Sequence, residues 1–367
     1  MIDTKLRDVA EFSFARHETF APRFGWLHKA YSSLTDPNVG AEVFLRNDAP
    51  VVLGVGKNMV NAIRFWSNAF KVSIEYPKAA NIRAFESSPL WEARWLLDEE
   101  GADPYLEDTA SLWLLHWWLL APPCYVPTWW IAFHAMPTSR FTEASLTEIV
   151  VRNVRLAGWE PPALASIERD VDCLTKMYAR RRTNPLSPGS FEDLLDCPFR
   201  ELGLLEAVAA DVNEHSKTPR AWQFTTTARS SLPALVLAYA CLDYAARNDG
   251  FAKGGSISLA RLAHEPGGPG RAFRVREPEI AAALEQAAAR HKNVTLTEGL
   301  GQRSLTFKTD PKALAWDLLD AHYGGIRKKH PTPTARQWYA DHPGAHDALQ
   351  TRQAGRGRQL ATVGGQA

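Results

Sequence analysis

Apolar positions recur along the first third of the chain at the three-and-four spacing of a helix buried on one side. Phe24, Leu27, Ala30 and Tyr31 form such a stripe, with Thr19 as an N-cap and Pro22 near the first turn, so an amphipathic helix is predicted over residues 20–33. Asp36-Pro37-Asn38 ends it. A second short helix is expected within Ala41 to Leu53, limited in length by Pro50.

From Leu53 to Arg64 the pattern is that of the turn and second helix of a helix-turn-helix. Gly54 supplies the permissive turn, Val55 packs inward, and Val60 and Ile63 share one buried face. That arrangement leaves Gly56, Lys57, Asn58, Asn61 and Arg64 on the outer surface, where Lys, Asn and Arg suit bases and phosphates. Ile74 to Ser88 reads as a following β-wing. The same apolar-glycine-apolar pattern occurs in helix pairs that never touch DNA, so both readings stand at this point.

A tryptophan-rich helix is predicted from Asp108 to Leu120. Trp113, Trp117, Trp118, Trp129 and Trp130 fall within eighteen residues, and the run is apolar on all sides. This favours a packed aromatic core over a base-stacking platform. Pro122-Pro123 and Met136-Pro137 mark a change of composition near residue 135. Beyond it a helix opens at Phe141-Thr142-Glu143 with Leu146, Ile149 and Val150 inward, and Ser166 to Tyr178 repeats the pattern. Arg180-Arg181-Arg182 then follows, either as a solvated helix terminus or as a phosphate contact.

Residues 190–250 read as helical, ending at Leu235 to Ala246. Short β-like segments are expected at Ser256 to Leu259, Arg271 to Val275, Val294 to Thr297 and Ser304 to Phe307, around a helix from Pro278 to His291. The loop Gly267 to Arg271 lacks Walker spacing and reads as a turn. From Arg327 onward the chain carries a net charge of +5 and drifts toward Gly and Gln, the composition of a flexible basic arm.

The fold class expected is mainly α with short β-hairpins (α+β). It comprises a winged helix-turn-helix-like DNA-binding domain over 1–135, a helices-plus-hairpin domain over 136–325 and a basic tail over 326–367. At 367 residues, 45% hydrophobic and 23% charged, the chain is long and apolar enough for real cores, which excludes a stapled mini-scaffold and global disorder. A formal net charge of +1 means that any polyanion must be met by local patches. The charged N-terminus lacks a secretory h-region, and Leu112 to Ala121 falls short of the ~20 residues that span a bilayer, so a cytoplasmic protein without a membrane partner is expected. Four scattered cysteines, Cys124, Cys173, Cys197 and Cys241, argue against disulfides and structural zinc.

Three segments together are distinctive: Phe14 to Tyr31 (FARHETFAPRFGWLHKAY), Leu53 to Trp66, and Asp103-Pro104-Tyr105-Leu106-Glu107-Asp108 leading into Leu112 to Trp117. They resemble the SspB-type DNA nickase family, a domain of unknown function found in bacterial DNA phosphorothioation (Ssp) phage-defence gene clusters. The resemblance runs from about Phe12 to Tyr323, weakens after residue 135, and leaves out the basic tail. It implies a nicking endonuclease subunit that cuts one strand of double-stranded DNA so that sulfur can be incorporated. It also implies cysteine desulfurase and sulfurtransferase/ATPase components as partners.

The chain carries no PD-(D/E)xK, HNH or paired-histidine motif, so catalytic candidates come from residue chemistry. Phosphodiester cleavage needs an activated nucleophile, charge neutralisation at phosphorus and a proton for the leaving oxygen. His17 and Glu18 form an acid-base pair beside Arg16, with Arg23 and Lys29 as phosphate-neutralising cations. Asp103, Glu107 and Asp108 are the fallback, three carboxylates able to hold Mg²⁺ or Mn²⁺, although acids at a helix start also serve capping alone. Arg16, Lys57, Asn58, Asn61, Arg64, Arg180, Arg181 and Arg182 are the candidate DNA contacts. The alternative function is a non-catalytic DNA-binding scaffold or regulator for the sulfur-transfer partners; a protein-protein adaptor is a third.

Overall fold

The computed structural model describes residues 6–78, 81–180, 197–208, 221–225, 229–247, 254–299, 301–329 and 334–351. The chain opens with α1 (Leu6–Val9) and α2 (Trp26–Thr35), which buries Trp26, Leu27, Ala30, Tyr31 and Leu34. This is the predicted stripe, but the helix starts six residues later than expected. Thr19 sits at φ 65° and Gly25 at φ 77°, left-handed conformations that a right-handed helix cannot contain, so Thr19 is no N-cap.

A 3₁₀ turn (Val43–Leu45) and α3 (Ala49–Leu53) fill the second predicted helix, with Pro50 in the first turn of α3, where its missing N–H costs nothing. Gly54, at φ 62°, closes α3 and turns the chain into α4 (Lys57–Ala69). A hairpin follows, β1 (Ser73–Lys78) against β2 (Asn81–Pro89), antiparallel from Ser73↔Pro89. Next come α5 (Trp91–Leu97), α6 (Thr109–Leu120) and α7 (Pro127–Trp130), the last running directly into a π-turn at Ile131–Ala135.

Helix α6 is buried on every side, so its tryptophans are core, and their N–H groups find partners. Trp117 donates to Asp243 (2.7 Å), Trp118 to the Tyr239 hydroxyl (3.0 Å) and Trp113 to Ser231 (3.2 Å). The buried apolar cluster that contains them extends from Leu6 to Trp338 and so includes residues on both sides of position 135.

The rest is built from β3 (Arg140–Thr142), α8 (Glu143–Leu156), α9 (Leu164–Tyr178), β4 (Ala179–Arg180), a 3₁₀ turn (Pro198–Leu202), β5 (Leu205–Val208) and β6 (Ala221–Phe224). The four strands order as β3-β6-β5-β4, antiparallel except for the β4–β5 pair. The expectation of helix across 190–250 therefore fails at β5 and β6. Strand β6 is held between β3 and β5, and β5 between β6 and β4, partners distant in sequence that local pattern cannot reveal.

Beyond them lie α10 (Ala234–Ala246), β7 (Gly255–Ser258), α11 (Leu259–His264), α12 (Pro269–Phe273), α13 (Glu277–Arg290), β8 (Val294–Gly299), β9 (Gln302–Phe307) and α14 (Pro311–His322). Strands β7-β9-β8 form an antiparallel sheet. Arg271 to Val275, predicted as β, instead spans the end of α12 and the turn after it. Gly270 lets α12 lie hard against α11, since a Cβ there would come within 2.4 Å of the Ala263 Cα. The architecture is thus mixed, helices with small sheets, in keeping with the α+β expectation.

After α15 (Ile326–Lys329), part of the predicted basic arm is helical and packed. Helix α16 (Ala335–Asp341) and residues 343–351 lie against the hairpin, Trp338 donating to the Pro89 carbonyl (3.3 Å) and Ala345 joining Ile74 and Leu90 in a small satellite core. Among the described residues no helix is long and apolar enough to cross a membrane.

His116, in the middle of α6, is fully buried between the Tyr178 hydroxyl (2.7 Å from Nδ1) and the Ala272 carbonyl (2.9 Å from Nε2). The carbonyl can only accept, so Nε2 carries the hydrogen and Nδ1 accepts from Tyr178. Burial pushes the imidazole pKa down to about 4. The unfolded chain therefore takes up this proton first as pH falls, and stability present above pH 6.5 is lost progressively toward pH 4. Urea unfolding should show about 2 kcal/mol less stability at pH 5 than at pH 7 from this group. A His116→Gln variant should lose that share of the slope, and an unchanged slope would refute the assignment.

Candidate nucleic-acid interface

The turn between α3 and α4 is held from behind by α2. Lys29 donates from Nζ to the carbonyl of Leu53 (2.6 Å), the last residue of α3, where a cation also favours the helix C-terminus. Val60, Ile63 and Trp66 bury the inner face of α4, and Lys57, Asn58 and Asn61 stand exposed on the other. Gly56 precedes α4 with no side-chain cap, so its first-turn amides are not taken up by a capping side chain. Arg64 is half-buried and differs from its neighbours. It forms a two-pronged pair with Glu75 on β1 (2.5 and 3.0 Å), and Asn68 donates to the same carboxylate (3.1 Å). Its charge is spent inside the protein.

Residues 15–19 form a strap beside this helix. Ala15, Glu18 and Thr19 all have positive φ, between 52° and 65°, which side chains other than glycine adopt only when the surroundings impose it. The surroundings here are a buried carboxylate. Asp170, on α9, accepts from the Ala15 amide (2.8 Å), from Thr128 (2.9 Å) and from His17 Nε2 (2.9 Å). His17 is 1% exposed, stacks on Trp66 at 6.1 Å between centroids, and meets the edge of Trp129. Its Nδ1 is buried without a partner. Trp66 also donates to the Phe20 carbonyl (2.9 Å), so α4 and the strap are fastened from beneath.

The structure thus separates the predicted catalytic set. His17 is paired with Asp170 rather than with Glu18. Glu18 is exposed and accepts from Asn61 (3.4 Å), which joins the strap to α4; Arg16 on the strap and Lys57 on α4 are exposed too. Arg23 lies over the rings of Phe20 (5.7 Å) and Trp26 (5.8 Å), and Lys29 is engaged by the Leu53 carbonyl.

The fallback carboxylates do structural work. Asp103 accepts from the amides of Glu107 (2.9 Å) and Asp108 (3.0 Å) and from Ser111 (2.6 Å), while Asp108 caps α6 through Ala110 (2.8 Å). Glu107 is exposed. Three donors already engage Asp103, and among the described residues no three His, Cys, Asp or Glu side chains form a group that could hold a metal ion. Arg180 belongs to β4; Arg181 and Arg182 lie outside the described residues.

Asp170, Thr128 and Trp66 were not singled out from sequence. One signal was present: Asp170 sits on the apolar stripe of α9 with Ile167, Val171 and Leu174, and a carboxylate on a core face must have buried partners. Asp170→Ala should cost roughly 3 kcal/mol in urea unfolding, since it leaves three donors unpaired. A loss under 1 kcal/mol would show that the strap is held otherwise.

The family described as "Protein of unknown function (DUF4007)" matches residues 14–323. A magnesium ion-bound SspB crystal structure is similar at 54% identity and a TM-score of 0.87, covering 95% of this chain and 99% of that one. A second SspB crystal structure is similar at 54% identity and a TM-score of 0.86, covering 95% and 98%. A search of curated proteins found no match. With a family match over most of its length and SspB structures alike over 95% of it, the chain belongs to the DUF4007 family, in line with the resemblance carried by Phe14–Tyr31, Leu53–Trp66 and Asp103–Trp117.

Proposed function

We propose that this protein is the DNA-binding, strand-nicking component of an Ssp-type phosphorothioation system, cytoplasmic and working beside cysteine desulfurase and sulfurtransferase/ATPase partners. One observation carries the reading. The exposed face of α4 and the strained strap form a single polar surface, joined by Asn61 and Glu18, on a rigid apolar base. The order α3, tight turn, α4, hairpin is that of a winged helix-turn-helix, and we read it as one, with α4 facing the major groove and β1–β2 as the wing. Likeness to SspB supports the placement in the Ssp system.

On this surface Arg16 and Lys57 take phosphates, and Asn58 and Asn61 address base edges. Arg64 holds the wing to α4 through Glu75. For cleavage, Glu18 is the exposed carboxylate able to move a proton, and His17 is a positioning residue that fixes the strap through Asp170. A neighbour crystallised with magnesium makes Mg²⁺ or Mn²⁺ the first ions to supply. The second reading, a non-catalytic DNA-binding scaffold, draws on the burial of His17 and on the three donors that engage Asp103.

Both readings require salt-dependent DNA binding, and they part at strand cleavage. The double variant Arg16→Ala/Lys57→Ala should lower the slope of log affinity against log salt by about two, whereas Arg64→Ala should mainly lower stability. Supercoiled plasmid incubated with the protein and Mg²⁺ or Mn²⁺ should relax to the nicked form, and Glu18→Gln should remove nicking while keeping affinity. Intact plasmid under all these conditions would select the scaffold. An unchanged salt slope in a folded double variant would refute the interface.

A further inference from the structure

A second set of cations lies elsewhere, around the π-turn Ile131–Ala135. Arg271 donates to the His264 carbonyl (2.6 Å) and the His134 carbonyl (2.5 Å), and Arg274 donates from Nη2 to the Ala132 carbonyl (2.7 Å). Two guanidinium groups therefore bond to carbonyls two residues apart on one turn. A third, Arg229, donates to the carbonyl of Phe273, the residue before Arg274 (3.2 Å), and to Gly203 (3.1 Å) and Thr225 (2.6 Å).

Several independent marks of a functional site coincide here. A π-helical turn ends α7. Arg274 sits at φ 55°, and its Nε is buried without a partner, as is Nδ1 of His134. The charge is also unbalanced. Among the described residues neither Arg271 nor Arg274 forms an ion pair with a carboxylate, and the charges that act on Arg274 are its fellow arginines, which together with burial hold its pKa down to about 9. His134 is kept neutral by burial and by Arg274 and Arg271.

Carbonyl dipoles and the ring of Phe224, 3.8 Å from the Arg274 guanidinium carbon, offset part of this cost. They bring no net negative charge. Arg271 Nη2 and Arg274 Nη1 make no protein hydrogen bond and are not sealed from solvent. One open nitrogen from each of two guanidinium groups can meet separate oxygens of a phosphoryl group, which carries more acceptors than a single carboxylate.

We propose that Arg271 and Arg274, backed by Arg229, form a phosphate-binding site separate from the α4 surface, with the phosphoryl oxygens held by Arg271 Nη2 and Arg274 Nη1. The phosphoryl group is either a backbone phosphate of nucleic acid or a free phosphate. The site does not rest on the nickase reading, because inorganic phosphate alone probes it.

The test uses full-length wild-type protein. Inorganic phosphate, against sodium chloride of equal ionic strength, should raise the melting temperature saturably by roughly a few degrees. It should also slow phenylglyoxal modification of Arg271 and Arg274, read by peptide mass spectrometry, several-fold. Arg271→Gln should abolish the thermal effect, and if that variant folds poorly the protection measured on wild type stands alone. A DNA arm then assigns the source: a salt slope lowered by about one in Arg271→Gln marks a backbone phosphate, and an unchanged slope with phosphate binding lost marks a free one. Equal modification rates with and without phosphate, together with no saturable thermal shift and no change of slope, would overturn the proposal.

Discussion

A carboxylate removed from water must be met by donors, and Asp170 is the place where that requirement shapes the molecule. Its two oxygens collect the Ala15 amide, the His17 ring and the Thr128 hydroxyl, three donors drawn from two separate parts of the chain. Leaving any of them unpaired is costly enough to hold Ala15, Glu18 and Thr19 in left-handed backbone conformations. The strap is consequently rigid although it has no regular secondary structure. A surface assembled from a loop and a helix presents a defined geometry only under such a constraint.

The tryptophan helix serves a related end by different means. Helix α6 is apolar around its whole circumference, so it must be enclosed, and α10, α12 and the 3₁₀ turn Pro198–Leu202 supply that enclosure. Polar atoms trapped by this enclosure are paired. Indole N–H groups reach Asp243, Tyr239 and Ser231, and His116 is held between Tyr178 and Ala272. Lys71 likewise donates to the carbonyls of Trp118 and Ala121 at the helix end. Chemistry with a partner falls to the few side chains left outside this enclosure.

A nearly neutral chain meets a polyanion through local charge, and its cations are of two physical kinds. Arg16 and Lys57 are exposed, so their attraction is long-ranged but screened by salt within about 8 Å at physiological ionic strength. Arg271 and Arg274 are half-buried among carbonyls and aromatic rings, where screening is weak and geometry decides. Arg64 belongs to neither kind, since Glu75 neutralises it. Counting basic residues along α4 would have placed Lys57 and Arg64 together.

Local pattern alone located the turn at Gly54, the buried face of α4, the hairpin after it, the tryptophan core and the ends of α9, α10 and α13, because spacing and capping act over a few residues. The exposure of Lys57, Asn58 and Asn61 was legible for the same reason. Tertiary structure alone decided that His17 faces Asp170 instead of Glu18, that Arg64 is occupied by Glu75, and that Asp103 stabilises a turn. It also decided that residues 205–208 and 221–224 are strands, and it gathered Arg271 and Arg274 on one turn. Each of these depends on a partner distant in sequence. Burial, which fixes whether a charged side chain acts on a neighbour or on a ligand, is a property of the assembled core and has no local signature.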